Sequence, residues 1–402
     1  MRLTALVAGL GIAQIISWGT LFYAIGVLGA PMRRSIGVSE LFLFSAFTGG
    51  LLVCGSLAPL AGRSIDRFGG RVVLSAGSLT GALAMAVLAT ASHPALLVLG
   101  WLLAGAAMAA CLYDPAFATL AQHAGPRYRR AVTALTLFGG FASTAFWPLS
   151  HLLNEAWGWR ATFGIYTAMH LLVCLPVHWL LVPQRPPRPV APANAPQPAL
   201  RSPAFSDPRL AWLTASFAIV TFVGGVIAVH MVGLLTHAGL TTAQAVSISM
   251  LVGPMQVAGR IIEMSVASRV RSVTVGAIAF MLLFVGIVSL TMADGMGVAA
   301  ILFVVAYGCG NGVVTIVKGT TPAELFGAQG LGGLLGHLSR AAFYAKALAP
   351  AAFSGLVTFG LTQNAALATL AAIALAGLGC YAMASRAPAP VTKARSSSAD
   401  AR

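Results

Sequence analysis

The chain has 402 residues, of which 58% are hydrophobic and only 8% are Asp, Glu, Lys or Arg, and its formal net charge is +15. About a quarter of an average soluble domain is charged, so this composition excludes a water-soluble globule and predicts a protein whose solvent is a bilayer. The excess of bases carries no basic stripe with interleaved aromatics, so a nucleic-acid partner is not expected.

A bilayer is crossed by about 20 apolar residues in helical form. In chain order, the charge-free runs Leu3–Met32, Leu41–Gly62, Ala131–Asn154, Ala161–Gln184, Ser272–Ala293 and Gly295–Val317 each predict one span. The first is too long for the apolar core of a signal peptide and follows a single base, Arg2, so it reads as a retained helix. Val72–Tyr113, Ala211–Gly259 and Ala347–Ser385 are about twice that length. Turn formers interrupt them at His93–Pro94, His237–Thr242 and Gly360–Asn364. Completing the fourth and eleventh helices across Asp114 and Arg340 gives an all-α integral membrane protein of twelve helices.

Residues 183–209 hold nine of the twenty-one prolines and five charges, which predicts a semi-extended linker. The expected organisation is therefore a six-helix bundle over 1–182, a linker over 183–209, a second bundle over 210–386 and a disordered tail over 387–402. A repeat supports two halves. Ala61-Gly62-Arg63-Ser64-Ile65-Asp66 follows the second helix and Ala258-Gly259-Arg260-Ile261-Ile262-Glu263 follows the eighth, each preceded by a proline, Pro59 or Pro254. Parallel six-helix repeats around a midplane site are one architecture of secondary transporters.

With both termini placed in the cytoplasm, nineteen of the twenty-four bases fall in cytoplasmic segments, as the positive-inside rule requires. That count includes Lys318. The outer loops hold Arg33, Arg34 and Arg160, while Arg340 and Lys346 lie within the eleventh helix. The five cysteines, Cys54, Cys111, Cys174, Cys309 and Cys380, sit on different predicted helices without a CxxC pair, and read as small buried hydrophobes.

Gly62-Arg63-Ser64-Ile65-Asp66-Arg67-Phe68-Gly69-Gly70-Arg71 resembles the GxxxDRxGRR signature of the major facilitator superfamily. Gly62, Asp66, Arg67, Gly69 and Arg71 match, and Gly70 departs. The resemblance extends through Gly158-Trp159-Arg160 and through the Gly308–Thr320 stretch of the tenth helix. The segments Ser17–Tyr23 and Leu60–Arg63, and His230 ahead of Gly239-Leu240-Thr241, are similar to the bacterial monocarboxylate and oxalate–formate branch. It implies the major facilitator fold, with Gly62, Asp66, Arg67, Gly69, Arg71, Asp114, Gly259, Arg260 and Glu263 as gating positions. Three departures stand out. Trp101 occupies the place of an arginine common in proton-coupled members, Trp147 precedes Pro148 in the fifth helix, and Gln122–His123 replaces an acid that pairs with the loop arginines.

Ionisable residues at membrane depth are functional candidates by default. Asp114, beside Pro115, is either a proton or cation site or a structural partner of an arginine in the second–third loop. Arg340 is the first expected anion clamp, because its planar fork suits a carboxylate. It shares a face with His337 and Tyr344, while Lys346 lies roughly 120° away. Gln14, Trp18, Thr20, Tyr23, His230 and Asn311 are further candidates for holding a solute, or else serve helix–helix contact. Gly77–Gly81 and Gly332–Gly336 have the spacing of close helix packing.

No catalytic constellation, metal site or phosphate-binding loop is present in the sequence, so neither an enzyme nor a cofactor is expected. The expected function is secondary active transport of a small solute by alternating access, with a small organic anion as the favoured cargo. Efflux of a toxic compound, a drug or a metalloid such as arsenite, is the alternative, and a non-transporting sensor on the same fold is a remote one. A coupling proton or counter-solute, a monomeric state and a bacterial inner-membrane location with both termini cytoplasmic complete the expectation.

Overall fold

A bilayer offers no water to an unpaired amide, so a spanning segment must satisfy its backbone internally. The computed structural model describes residues 3–184 and 207–386, and its regular elements there are all helical. The twelve helices are α1 (Leu3–Ile36), α2 (Glu40–Phe68), α3 (Gly70–Ala89), α4 (Pro94–His123), α5 (128–157) and α6 (159–181). The second six are α7 (Pro208–His237), α8 (Thr242–Val266), α9 (Ser272–Thr291), α10 (Val298–Phe326), α11 (Leu331–Thr358) and α12 (Gln363–Arg386).

Local chemistry sets the boundaries. The Ser39 side chain accepts from the Phe42 amide to start α2, and Thr241 with Gln244 closes a capping box at the start of α8. Asp207 caps α7, which begins at Pro208, two residues ahead of the boundary expected from the proline-rich stretch. The α5–α6 corner is a single residue, Gly158, whose φ of 77° only glycine adopts readily. The expected turns at 93–94, 237–242 and 360–364 separate α3 from α4, α7 from α8 and α11 from α12. The remainder of the linker and the tail beyond Arg386 lie outside the described residues.

Two deviations within helices bear on function. Pro115 has no amide to return to the Cys111 carbonyl, and α4 kinks at Leu112 (φ −78°, ψ −159°). Gln14 Nε2 of α1 donates to that carbonyl at 2.7 Å. Residues Trp18–Tyr23 of α1 form a widened, π-helical turn, a distortion often found at functional sites.

Within the first six helices α2, α3 and α4 pack on one another, and within the second six α9 and α10, α8 and α10, and α7 and α12 do so. The two sets meet through α2 against α11 and α5 against α8, with further contact of α4 on α11 and of α5 on α10. Both seams lie toward the end that carries the bases of the α2–α3, α4–α5 and α8–α9 loops, here called the basic end.

Candidate functional site

Closure of the basic end depends on how close two backbones come. Gly62 of α2 faces Gly332 of α11 so closely that a methyl group on either would collide with the other's carbonyl, and Gly336 stands equally close to Ala58. This approach brings the Asp66 carboxylate to the first turn of α11. Its two oxygens accept from the amides of Gly332 (3.0 Å) and Gly333 (2.7 Å), donors that no preceding turn can satisfy. Arg71 turns away from that contact and donates to the Val182 carbonyl at 2.7 Å. Gly70, the departure from the signature, faces Thr119 of α4 with no room for a side chain. Gln122 donates to the Ile65 carbonyl at 2.9 Å, so a neutral amide holds the end of α2 where the family pattern has an acid.

The second copy of the repeat works differently. Glu263 is almost completely buried and receives Arg129 Nε at 2.7 Å and Thr133 Oγ1 at 2.6 Å, both from α5. Arg129 also reaches the Val270 carbonyl. Arg260, 4% exposed, donates to the carbonyls of Thr136 on α5 (3.0 Å) and Gly312 on α10 (3.3 Å). Gly140 makes room for that guanidinium, and Gly259 lies against the Cys309 backbone of its own half.

Asp114 lies just beyond the α4 kink, in the first turn of the following helical segment. Its partner is Lys318 of α10 at 3.0 Å, not an arginine of the α2–α3 loop. Lys318 is therefore no loop base, because α10 runs on to Phe326 and places it inside the bundle. Ser339 of α11 receives a hydrogen bond from Lys318 Nζ at 2.9 Å and donates its own proton to the same Asp114 oxygen. The other carboxylate oxygen is buried and has no partner.

A second cation stands between the halves at Lys346. Its ammonium lies 4.1 Å from the centre of the Phe22 ring and 5.9 Å from that of Trp18, across from α11 onto α1. Among the described residues no carboxylate lies within ion-pairing distance of it. The π-helical turn gathers the aromatics. Trp18 lies 5.3 Å from Phe22, 6.1 Å from Tyr23 and 5.2 Å from Tyr113, and Tyr23 meets the half-exposed Trp147 at 6.2 Å. Trp101 instead is wholly buried against Phe47, inside the first half.

The structure does not bring the other expected contacts to this cluster. Arg340 is exposed on a different face of α11, the face whose Tyr344 bonds Ser56 of α2 at 2.8 Å. His230 faces the Pro350 carbonyl at 3.2 Å and the Phe353 ring, which ties α7 to α11. Asn311 lies near Gly224 of α7, within the second half. Gln14 and Thr20 are fully buried, Gln14 donating to the Cys111 carbonyl with its own Oε1 left without a partner, and Thr20 facing His170 at 2.8 Å. The five cysteines are all free. Lys318, Ser339, Phe22 and Tyr113 are not among the site residues expected from the sequence. Only the continuation of α10 past Val317 would have drawn Lys318 into the membrane.

Comparison with known proteins agrees with this geometry. Residues 10–344 match the Major Facilitator Superfamily. The chain belongs to that family. No curated protein matches it in sequence. FucP, a family member solved in the outward conformation, superposes with a TM-score of 0.73 at 13% identity, covering 94% of this chain and 98% of FucP. The proton:xylose symporter XylE gives 0.75 at 14% identity, covering 95% and 96%. The human organic anion transporter MFSD10 gives 0.71 at 15%, covering 95% and 100%. At such identities the superpositions speak for the fold, while the family makes this multi-pass membrane protein a secondary transporter rather than an enzyme.

Proposed function

We propose that the protein carries a small organic anion with a single carboxylate, bound between the halves by Lys346 and the aromatic side chains Trp18, Phe22, Tyr23 and Tyr113. The observation that carries this reading is the unpaired ammonium of Lys346 held against aromatic faces. A cation–π contact is worth about 2 kcal/mol when desolvated and leaves the ammonium's donors open to a charge-assisted bond with a carboxylate. An anion that engages Lys346 alters its contact with Phe22, and because α11 and α1 belong to different halves, that change couples occupancy to their relative position.

Arg340 enters this reading only as a flanking charge, since its place on α11 is roughly 120° from Lys346. A cytoplasmic position for the basic end belongs to the same proposal, supported by the distribution of bases, and a bacterial inner membrane and a monomer are proposed with it. Efflux of a metalloid finds no support in the thiols, which among the described residues join no group of three His, Cys, Asp or Glu.

The test is uptake of radiolabelled carboxylates, from acetate to benzoate, into proteoliposomes. Lys346→Gln is expected to lower uptake at least about tenfold, equivalent to losing one charge-assisted contact, while Arg340→Gln leaves it within about twofold. Equal loss in both variants, or uptake unchanged by Lys346→Gln, would sink the Lys346 site. Export of a cationic drug by the unmodified protein would favour the efflux reading instead.

A further inference from the structure

We infer that the lipid-facing groove between α2 and α11 holds one anionic phospholipid of the leaflet at the basic end, with its phosphate bound between Arg63 and Arg340. Arg340 is nine residues beyond Leu331, so it lies about 13 Å along α11 from that end, within a hydrocarbon layer about 30 Å thick. Its side chain is exposed, a costly place for a charge. The surface around it is apolar. Leu348 further along α11 and Leu52 and Leu60 of α2 are exposed large side chains, which marks a face turned to acyl chains.

Two contacts close the floor of the groove. Gly62 touches Gly332 near the basic end, and Tyr344 bonds Ser56 at 2.8 Å further in. Arg63 Cγ lies 3.3 Å from the place a methyl group on Gly333 would take, so the stem of Arg63 rests on the start of α11. Gly333 and Arg340 are seven residues apart, which puts them on one face of α11 with about 10 Å between them. The two helices run in opposite directions, and each Cβ tilts toward the start of its own helix. Arg63 therefore leans inward toward Arg340, and Arg340 leans back toward Arg63. Two cations aimed into one groove repel each other unless an anion stands between them. Among the described residues no carboxylate lies within ion-pairing distance of either. Asp66, three residues after Arg63, gives its oxygens to the amides of Gly332 and Gly333.

A phosphodiester supplies the missing charge. Its two non-bridging oxygens share one negative charge and accept from a planar guanidinium on either side. Arg340 meets the headgroup from the hydrocarbon by extending along its apolar stem, as long basic side chains do. Toward the bilayer centre an acyl chain follows Leu60 and Leu52 on one wall and Leu348 on the other. The polar groups on that path are satisfied, since Tyr344 donates to Ser56 and Ser56 donates to the Leu52 carbonyl at 2.8 Å. A free phosphate gains nothing from these leucines, and a zwitterionic lipid brings a cation of its own beside the arginines. One arginine comes from each half, so the site is complete only where Gly62 meets Gly332. Lys346, roughly 120° around α11 from Arg340, takes no part in it.

The test is native mass spectrometry of the full chain, released from detergent with dioleoyl phosphatidylglycerol or dioleoyl phosphatidylcholine. One phosphatidylglycerol should stay bound at collision energies that strip phosphatidylcholine. Arg340→Gln and Arg63→Gln should each weaken its binding at least about fivefold, the effect of one base beside an anionic headgroup. Arg130→Gln, which removes an exposed base of α5 outside the groove, should leave binding unchanged. Thermal unfolding followed by circular dichroism should be the same in all three variants, which separates lost binding from lost fold. Equal retention of the two lipids, binding unmoved by either groove substitution, or an equal loss in Arg130→Gln would overturn the site. Displacement of the lipid by excess inorganic phosphate would assign the arginines to a free anion, and displacement by benzoate would assign them to the cargo. Either result would overturn the lipid site as well.

Discussion

The two copies of the Ala-Gly-Arg-x-x-acid repeat occupy matching places yet hold the basic end in different ways. In the α2–α11 seam the work is done by glycine and by backbone amides: Gly62 admits Gly332, and the Asp66 carboxylate rests on the start of α11. In the α5–α8 seam it is done by side-chain charge, with Glu263 gripped by Arg129 and Thr133, and Arg260 inserted between α5 and α10. Burial explains the contrast. Arg63 is exposed at the edge of its seam, whereas its counterpart Arg260 is 4% exposed and must bond every group it meets. In a seam of amides and close backbones, separation breaks one charged contact, that of the partly exposed Asp66 with two amides. A seam of buried charge resists separation strongly, because each partner is left uncompensated.

The sharpest way to break this comparison is to add one carbon to each glycine. Gly62→Ala should prevent closure of the basic end altogether, seen as loss of transport with both halves still folded by circular dichroism. Gly259→Ala presses on Cys309 inside one half, so it should lower thermal stability and leave closure possible. Equal effects of the two would mean the seams are equivalent.

Next in size is Glu263→Gln, which leaves Arg129 buried beside a neutral group and should cost about 3 kcal/mol of stability in detergent unfolding. Thr133→Val removes a single hydrogen bond to a charged group and should cost about 2 kcal/mol. On the other seam, Asp66→Asn removes the charge at the start of α11 and leaves one acceptor oxygen where two amide N–H groups donate, so one of those hydrogen bonds is lost as well. It should cost about 1.5 kcal/mol, part of which shrinks as salt is added. A loss at Asp66 as large as that at Glu263 would contradict the division between amide and charge.

The smallest effect lies outside both seams. The Arg209 side chain beside Asp207 holds its carboxyl below the ordinary range, with hydrogen bonds of 2.7–3.1 Å. A depressed carboxyl adds stability that is present above the unfolded value of about 4 and is lost as pH falls through the folded one. Melting of the start of α7, followed by hydrogen exchange, should therefore be unchanged at neutral pH and increase only below about pH 4. Asp207→Asn should remove that dependence.

Several features were legible from residues alone because they are one-dimensional. Apolar run length marks a span, a proline or glycine marks its end, and the repeat marks two halves. Asp114 stood out as an intramembrane acid, but its partner could not be read. Lys318 is 204 residues away in sequence, and the charge-free run ahead of it suggested a loop. Gln14 and Thr20 looked like solute contacts because polarity is visible in a sequence, whereas the proline-freed Cys111 carbonyl and the His170 ring that engage them are not.

The sequence by itself determined the solvent, the twelve helices, the family and the short list of costly charges, since each follows from composition or from neighbours along the chain. The tertiary structure decided which of those charges have partners. It paired Asp114 with Lys318 and left Lys346 alone among aromatics, with Arg340 turned to another face. That choice depends on the rotation and approach of helices distant in sequence. At the crossings where it is made, glycines let two backbones touch, and one added methyl group would undo it.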